Sequence, residues 1–438
     1  MKYLYLDNFR GFSDTLIPIT DVSFLVGENS TGKTSVLSLL KLFSDINFLY
    51  SLSFDTEEVK LGHFKDIVSI HSSNRSYFTV GLVSDSNNTN DGDSSTRGFL
   101  MTFKEKFGLP SLSHYTLNQG SNVVSLRRTP KRVLINESSI EENIDASCFI
   151  STVLGDWKKE HQSQSKKYHN IQFPEGRLDF GSMPLPLLLT MLGSQLDKKN
   201  SKSFKSDFIP RPSFDRDLVW LAPIRTMPKR TYDEVRLDFS PEGSHTPYLV
   251  RKILSSKSVA KAFKKKLEHI GKQSSLFESV TIRKYGQSAT SPFELDIVID
   301  KKALNINSVG YGVSQALPVI VELLHRKKNT LFAIQQPEVH LHPKAQAALG
   351  DLCYELAIQE GKGFIIETHS DFLIDRFRLN YREKRKLKPK SQILFFERKA
   401  GLNSVISLPI DDSGDLPLDQ PNKYREFFIH EEMKILGL

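Results

Sequence analysis

Cysteine is scarce: Cys148 and Cys353 are the only two in 438 residues, far apart and in no CxxC or Cys/His cluster. That excludes a disulfide framework and a thiolate zinc site, and a reducing compartment is expected. Long apolar runs are missing as well. No stretch approaches the roughly 18 apolar residues that a spanning helix needs. The opening MKYLYLDNFRGF has neither an apolar signal core nor a small-residue cleavage site. The expectation is a cytoplasmic protein without membrane contact. Acidic excess is absent too, with 59 Lys plus Arg against 51 Asp plus Glu.

The composition is globular, 39% hydrophobic and 25% charged, and the length corresponds to roughly two or three domain equivalents. The basic surplus of +8 is partly clustered, in Lys261–Lys266 (KAFKKK) and most densely in Arg382–Lys390 (REKRKLKPK). Such clusters either neutralise nucleic-acid phosphates or form solvated faces. DNA is therefore a candidate partner on charge alone.

Patterning predicts a strand over the first residues, returning as a hairpin through Phe12–Ile17, and a short strand at Val22–Val26. A glycine- and serine-bearing turn follows, then a helix over Ser35–Phe43 with Val36, Leu39, Leu40 and Phe43 on one face. Tyr77–Val83 and Gly98–Phe103 read as strands around a polar linker, SDSNNTNDGDSSTR. From Asn136 to Phe208 helical stretches, around Trp157 and over Pro186–Leu192, suggest a helical insertion. A strand at Trp220–Arg225 (WLAPIR) and a helix around Tyr248–Leu267 come next. The last third alternates: strand Phe293–Asp300, helix Gln315–His325, strand Leu331–Ile334, helix Pro343–Ile358, strand Gly363–Ile366 and helix Ser370–Arg378. Alternation of this kind predicts an α/β fold with a largely parallel sheet and flanking helices.

Gly27-Glu28-Asn29-Ser30-Thr31-Gly32-Lys33-Thr34 fits G-x-x-x-x-G-K-[ST] at every fixed position. Its glycines let backbone N–H groups turn inward around phosphate oxygens, and the helix that follows adds its positive N-terminal end. Lys33 would lie between β- and γ-phosphates, and the Thr34 hydroxyl would complete a Mg²⁺ shell. Downstream, the apolar strand Leu331–Ile334 ends in Gln335-Gln336-Pro337-Glu338. A strand tip beside a phosphate loop usually supplies an acid to Mg²⁺ and a second acid to orient water. Gln335 and Gln336 are amides: they accept hydrogen bonds but cannot take a proton. Glu338 either activates water in their stead or fixes the turn.

His340-Leu341-His342-Pro343 invites a zinc reading, yet no further ligand surrounds it; the alternative is a loop that touches a second subunit. Ser308–Gln315 (SVGYGVSQ) either presents N–H groups and Ser314 to a γ-phosphate or is a tight turn that starts a helix. His369, in Glu367-Thr368-His369-Ser370-Asp371, either senses a γ-phosphate or is structural.

Taken together, LYLDNFRGF, GENSTGKTS, SVGYGVSQALPVIV, IQQPEVHLHPKAQ and ETHSDFLIDR resemble the ABC-type ATPases of the RecF, SMC and OLD (overcoming-lysogenisation-defect) group, in the expected order along the chain. The resemblance implies a P-loop ATPase head binding ATP and Mg²⁺. Contacts would come from Arg10 of the opening strand, from Gly27 to Ser35, and in trans from Gly310, Gly312 and Ser314 of a second subunit. It implies Thr34 and Gln335 at the metal, and Gln336, Glu338 and His369 in the catalytic places. It also implies a homodimer or higher homo-oligomer closed around two ATP molecules. Gln335 in place of the usual acid, followed by Gln336, points to slow hydrolysis. The region Phe64–Ile67 is the counterpart of a Q-loop. On this reading residues 1–135 form an N-terminal ATPase lobe with an antiparallel β subdomain. Residues 136–208 form a helical insertion, 209–395 a C-terminal ATPase lobe, and 396–438 an extension of the kind seen in a bacterial subgroup. Such ATPases sit in anti-phage systems beside a nuclease, as the PtuA ATPase of Septu does. Only 67 residues follow Asp371, too few for the Toprim nuclease fused in OLD proteins, so a separate nuclease subunit is expected. A RecF-like DNA-repair clamp is the alternative.

Overall fold

The computed structural model describes residues 2–84, 97–119, 122–129, 132–139, 151, 169–170, 183–197, 216–233, 236–256, 258–288, 290–383, 388–420 and 424. In chain order its strands are β1 (Lys2–Asp7), β2 (Thr15–Ile19), β3 (Val22–Gly27), β4 (Tyr77–Ser84), β5 (Arg97–Lys106), β6 (Leu109–Gln119), β7 (Asn122–Arg128), β8 (Val133–Ser139), β9 (His169–Asn170), β10 (Leu218–Leu221), β11 (Ser279–Lys284), β12 (Phe293–Ile299), β13 (Lys302–Asn305), β14 (Leu331–Gln335), β15 (Gly363–Glu367), β16 (Ser391–Lys399) and β17 (Leu402–Ile410). Its helices are α1 (Lys33–Ser44), α2 (Ile46–Ser51), α3 (Phe64–Ile67), α4 (Leu185–Asp197), α5 (Thr246–Ser255), α6 (Ala260–Gln273), α7 (Tyr311–His325), α8 (Pro343–Glu360) and α9 (Asp371–Glu383). Two compact units emerge. One comprises Met1–Thr20, Asn29–Asp215 and Phe396–Val405; the other comprises Asp21–Glu28, Arg216–Phe395 and Ile406–Leu438.

In the first unit an antiparallel sheet runs β2-β1-β4-β5-β6-β7-β8-β9. Phenylalanines hold it together edge to face. Phe43 meets Phe99 at 5.1 Å and Phe54 meets Phe103 at 4.9 Å, the T-shaped geometry that ring quadrupoles favour. Ser84 pairs with Arg97 across β4 and β5, so the polar linker does join a hairpin; residues 85–96 lie outside the described residues. The β5–β6 hairpin turns on Phe107 and Gly108, both at positive φ, as a two-residue primed turn requires.

In the second unit a sheet runs β10-β14-β15-β3-β16-β17, with β10, β14, β15 and β3 parallel. These strands read as apolar runs because helices cover a parallel sheet. Phe24, Val26, Phe332, Ile334, Phe364 and Ile366 belong to one buried core with Leu317, Val321, Tyr354 and Phe377. Strands β11, β12 and β13 make a small antiparallel sheet. This is an α/β fold with an added antiparallel β subdomain.

Some expected elements differ. The helix expected around Tyr248–Leu267 is two helices, because Ser256 is extended and its N–H closes α5 on Ile253. The Trp220–Arg225 strand is Leu218–Leu221, stopped ahead of Pro223, which has no N–H to donate. Helix α7 begins at Tyr311, four residues before Gln315, with Gly310 at its N-cap. Within 136–208, Asn136–Ser139 completes β8 and Leu185–Asp197 is helical; the segment around Trp157 lies outside the described residues.

Candidate functional site

The phosphate-loop motif is a strand, a tight loop and a helix. β3 ends at Gly27 with φ 143°, Ser30 follows at φ 62° and Gly32 at φ 97°, and α1 starts at Lys33. Positive φ at these points turns successive N–H groups toward one side, the concave arrangement that binds anions. A Cβ on Gly32 would lie 2.4 Å from Phe12 Cζ, so only glycine fits. Lys33, Thr31 and Ser35 are buried, while Glu28, Asn29, Ser30 and Thr34 are exposed. Arg10, itself at φ 50°, donates from Nη1 to Ser35 Oγ at 2.8 Å and from Nη2 to the Leu61 carbonyl at 3.1 Å. Its N–H bonds the Ile67 carbonyl at 2.6 Å, tying it to the expected Q-loop counterpart. Burial lowers the Arg10 pKa, against the Asp66 charge.

The β16–β17 hairpin braces the same loop through Arg398, which Asn403 holds in turn, and the sequence reading missed both. Arg398 donates to the Ser30 carbonyl and, at 3.2 Å, to Asn403 Oδ1. Asn403 N–H bonds the Gly11 carbonyl at 2.7 Å. No motif marks them, since hundreds of residues separate them from the loop.

In the second unit the parallel strands deliver their C-terminal tips to one edge. Gln335 pairs with Glu367, and Glu367 with Leu25, two residues before Gly27. Gln335 Nε2 donates to Glu367 Oε2 at 3.1 Å, both residues being buried. Gln336 sits at φ 43° with its N–H on the Glu367 carbonyl at 2.7 Å. This tip offers only oxygen acceptors beside amide donors, a set that suits Mg²⁺ carrying water and phosphate ligands. Gln335 could hold such an ion's water; the residues present fit the group.

Glu338 is turned to the Glu367–Asp371 segment. Its Oε1 accepts the His369 N–H at 2.7 Å. Burial raises its pKa, opposed by that N–H, the Thr368 hydroxyl and the Arg225 charge. Arg225 is the group sequence reasoning overlooked here. Its guanidinium donates to the Gln335 and Gln336 carbonyls at 3.0 and 3.2 Å, and its N–H meets Gln315 Oε1 at 3.4 Å. Burial brings its pKa down to about 10, against Glu338. The WLAPIR pattern carried the signal, as an arginine just past an apolar strand.

Ser308, Gly310 and Tyr311 are exposed at the start of α7. Ser314 is buried, its hydroxyl donating to the Tyr311 carbonyl at 2.8 Å. Gly312 packs so close to His340 that a Cβ would lie 2.6 Å from its carbonyl. The two histidines part ways: His340 stands edge-on to the Tyr311 ring, while His342 caps α8 by accepting from Ala345 N–H. Among the described residues no group of three or more His, Cys, Asp or Glu could hold a metal, and no helix is long and apolar enough to cross a membrane.

The family model described as AAA ATPase domain matches residues 1–173 and 194–374. Among solved structures the chain is similar, at 14% identity, to an SMC head bound to the C-winged helix domain of ScpA. That match covers 93% of this chain and 98% of the other at a TM-score of 0.47. It is also similar to the SMC head domain from Thermotoga maritima (12% identity, 93% and 98% covered, TM-score 0.41). A third is the Smc head domain with an extended coiled coil from Pyrococcus furiosus, bound to the C-terminal domain of ScpA (13% identity, 100% and 99% covered, TM-score 0.41). No curated protein matches.

Proposed function

Because this chain belongs to the AAA ATPase domain family, we propose that it binds ATP with Mg²⁺ at the Gly27–Thr34 loop and hydrolyses it slowly, so that nucleotide occupancy acts as the switch. The observation that carries this reading is the loop backbone, in which Gly27, Ser30 and Gly32 all take positive φ directly ahead of a helix that opens with Lys33. Backbone N–H groups from Glu28 to Lys33 would cradle the phosphates, Lys33 would neutralise β- and γ-oxygens, and Thr34 with Gln335 would hold the metal's shell. The metal supplies charge neutralisation on the phosphates when bound. Gln336 can position a water but cannot accept its proton, which is why turnover is slow. Glu338 holds His369 through its N–H and so sets where the switch histidine starts.

Two such chains would close head to tail, each covering the other's ATP with the exposed turn Ser308–Tyr311 and with Gly312 and Ser314 behind it. The resemblance to defence ATPases supports a further assignment, as the regulatory subunit of a separate nuclease in bacterial anti-phage defence. The DNA-clamp alternative is less favoured. In the Arg382–Lys390 cluster, Arg382 pairs with Asp415 at 2.5 Å and Lys388 donates to the Asp412 carbonyl.

Calorimetry with MgATP on the purified protein tests the core of the reading. Binding is expected, with a loss of about 10- to 100-fold in Lys33→Ala; no heat from the native protein sinks it. Sedimentation with and without a non-hydrolysable ATP analogue tests the sandwich, and a nucleotide-independent monomer ends that part. A lone chain that degrades DNA with Lys33 intact removes the separate nuclease.

A further inference from the structure

The small antiparallel sheet of the second unit leaves its longer edge open. We propose that the free edge of β11, with the groove between it and α6, takes an acidic extended segment of a partner protein, which adds to the sheet as a fourth strand. The inference stands apart from the nucleotide reading and uses none of its residues.

Three observations carry it. The first is the edge itself. The sheet runs β11-β12-β13, so β11 has a neighbour on one side alone. Tyr285, just past β11, donates its N–H to Pro292, its opposite number in the register, at 3.0 Å. Antiparallel bonding alternates along a strand. Ser279, Thr281 and Arg283 therefore turn their backbone groups to β12, while Val280, Ile282 and Lys284 turn theirs to the open side. Among the described residues none of these three makes a backbone hydrogen bond there. The six residues of β11 contain no proline and no register break, and they offer a longer template than the four of β13.

The second is the groove. A cavity of about 610 Å³ runs along this edge, walled by β11, by the end of α5 and by the first turns of α6. Val280 lines it while only 2% exposed. A backbone amide kept both from water and from a partner is costly, and a pairing strand supplies the partner.

The third is charge. Lys261, Lys264 and Lys284 line the groove, and among the described residues no acid does. Lys264 has an exposed contact with Glu268 at 3.7 Å, and Lys284 reaches the Ser255 hydroxyl at 3.4 Å. Lysines on a strand edge usually ward off pairing. Two of these three stand instead on α6, positioned to meet the side chains of an incoming strand rather than its backbone. Nucleic acid would satisfy the lysines but not the outward donors and acceptors of β11, whose spacing is that of a strand. Backbone pairing supplies the affinity of such a partner, and its acidic side chains supply the selection.

The test uses the full chain and a fluorescein-labelled peptide of alternating glutamate and threonine, followed by fluorescence anisotropy. The native protein is expected to bind it. Lys261→Gln with Lys264→Gln should weaken binding by about 3- to 10-fold. Two further peptides carry N-methyl groups on alternate amides, one in each phase. The phase whose N–H groups face β11 should lose about 10- to 100-fold, and the other should bind like the parent. Two N-methylated peptides that behave alike overturn strand addition, and an unchanged affinity in the lysine variant overturns the role of charge. A native protein that ignores the parent peptide overturns the proposal, as does a single-stranded oligonucleotide that binds more tightly and displaces it.

Discussion

The β5–β6 hairpin and the edge formed by β3, β14 and β15 end their strands in opposite ways. The hairpin returns through Phe107 and Gly108, and the two residues are consumed by the turn; a Cβ on Gly108 would meet nothing within 4 Å. Parallel strands cannot close so tightly, and each must release its chain at the same edge before a long crossover. Gly27, Gln335 and Glu367 therefore collect side by side. There the backbone is strained as well: Gln336 has φ 43° and His340 φ 65°, conformations that cost about 1–3 kcal/mol each in a side-chain-bearing residue. An antiparallel edge spends its residues on turning. A parallel edge leaves them over for chemistry.

Breaking that contrast starts with the largest effect. Gln336→Glu places a proton acceptor where only an amide stands, and phosphate release should rise by about 100-fold. If turnover stays at the native level while MgATP still binds, the limit lies at Glu338 or in dimer closure. Next comes Arg225→Ala. It deletes the donors to the Gln335 and Gln336 carbonyls and leaves Glu338 without a nearby cation, so urea unfolding should show a loss of about 3 kcal/mol. A loss under about 0.5 kcal/mol would mean that Pro337 and the strand alone hold the turn.

How much of this could be read beforehand follows from what each feature depends on. The phosphate loop was legible because cradling phosphate demands glycine at fixed spacing within eight residues. β14 and β15 were legible because strands buried on both faces must be apolar. For Ser314 the pattern left two readings, a contact to a γ-phosphate in trans and a turn that starts a helix, and its hydroxyl bonds the Tyr311 carbonyl of its own helix. Arg225 and Arg398 escaped for a different reason. They act on carbonyls 110 and 368 residues away, and a backbone acceptor leaves no trace in side-chain pattern.

A smaller effect sharpens the contrast between the two kinds of edge. Gly32→Ala forces a side chain into φ 97° against Phe12, and should cost about 2–3 kcal/mol and abolish analogue binding. Gly108→Ala, at φ 79° in open space, should cost only about 1 kcal/mol and leave nucleotide affinity intact. Equal losses in the two variants would erase the distinction between a phosphate loop and a plain turn.

The smallest effect is a change of slope. Burial raises the Glu338 pKa above its ordinary 4.5, so the folded chain holds that proton more firmly than the open chain does. The stability tied to it is full below pH 4.5 and drains away as pH climbs through the raised folded value. Glu338→Gln cannot ionise, while its amide oxygen can still accept the His369 N–H. Its stability should therefore be flatter than the native curve just above pH 4.5, and the gap between the two should open up to the raised folded value and stay constant beyond it. Urea midpoints from about pH 4 to about pH 7 measure this. Parallel curves would mean that Arg225 and the His369 N–H fully offset the burial of the charge, and the β14 edge would then be no more costly to hold at neutral pH than the hairpin.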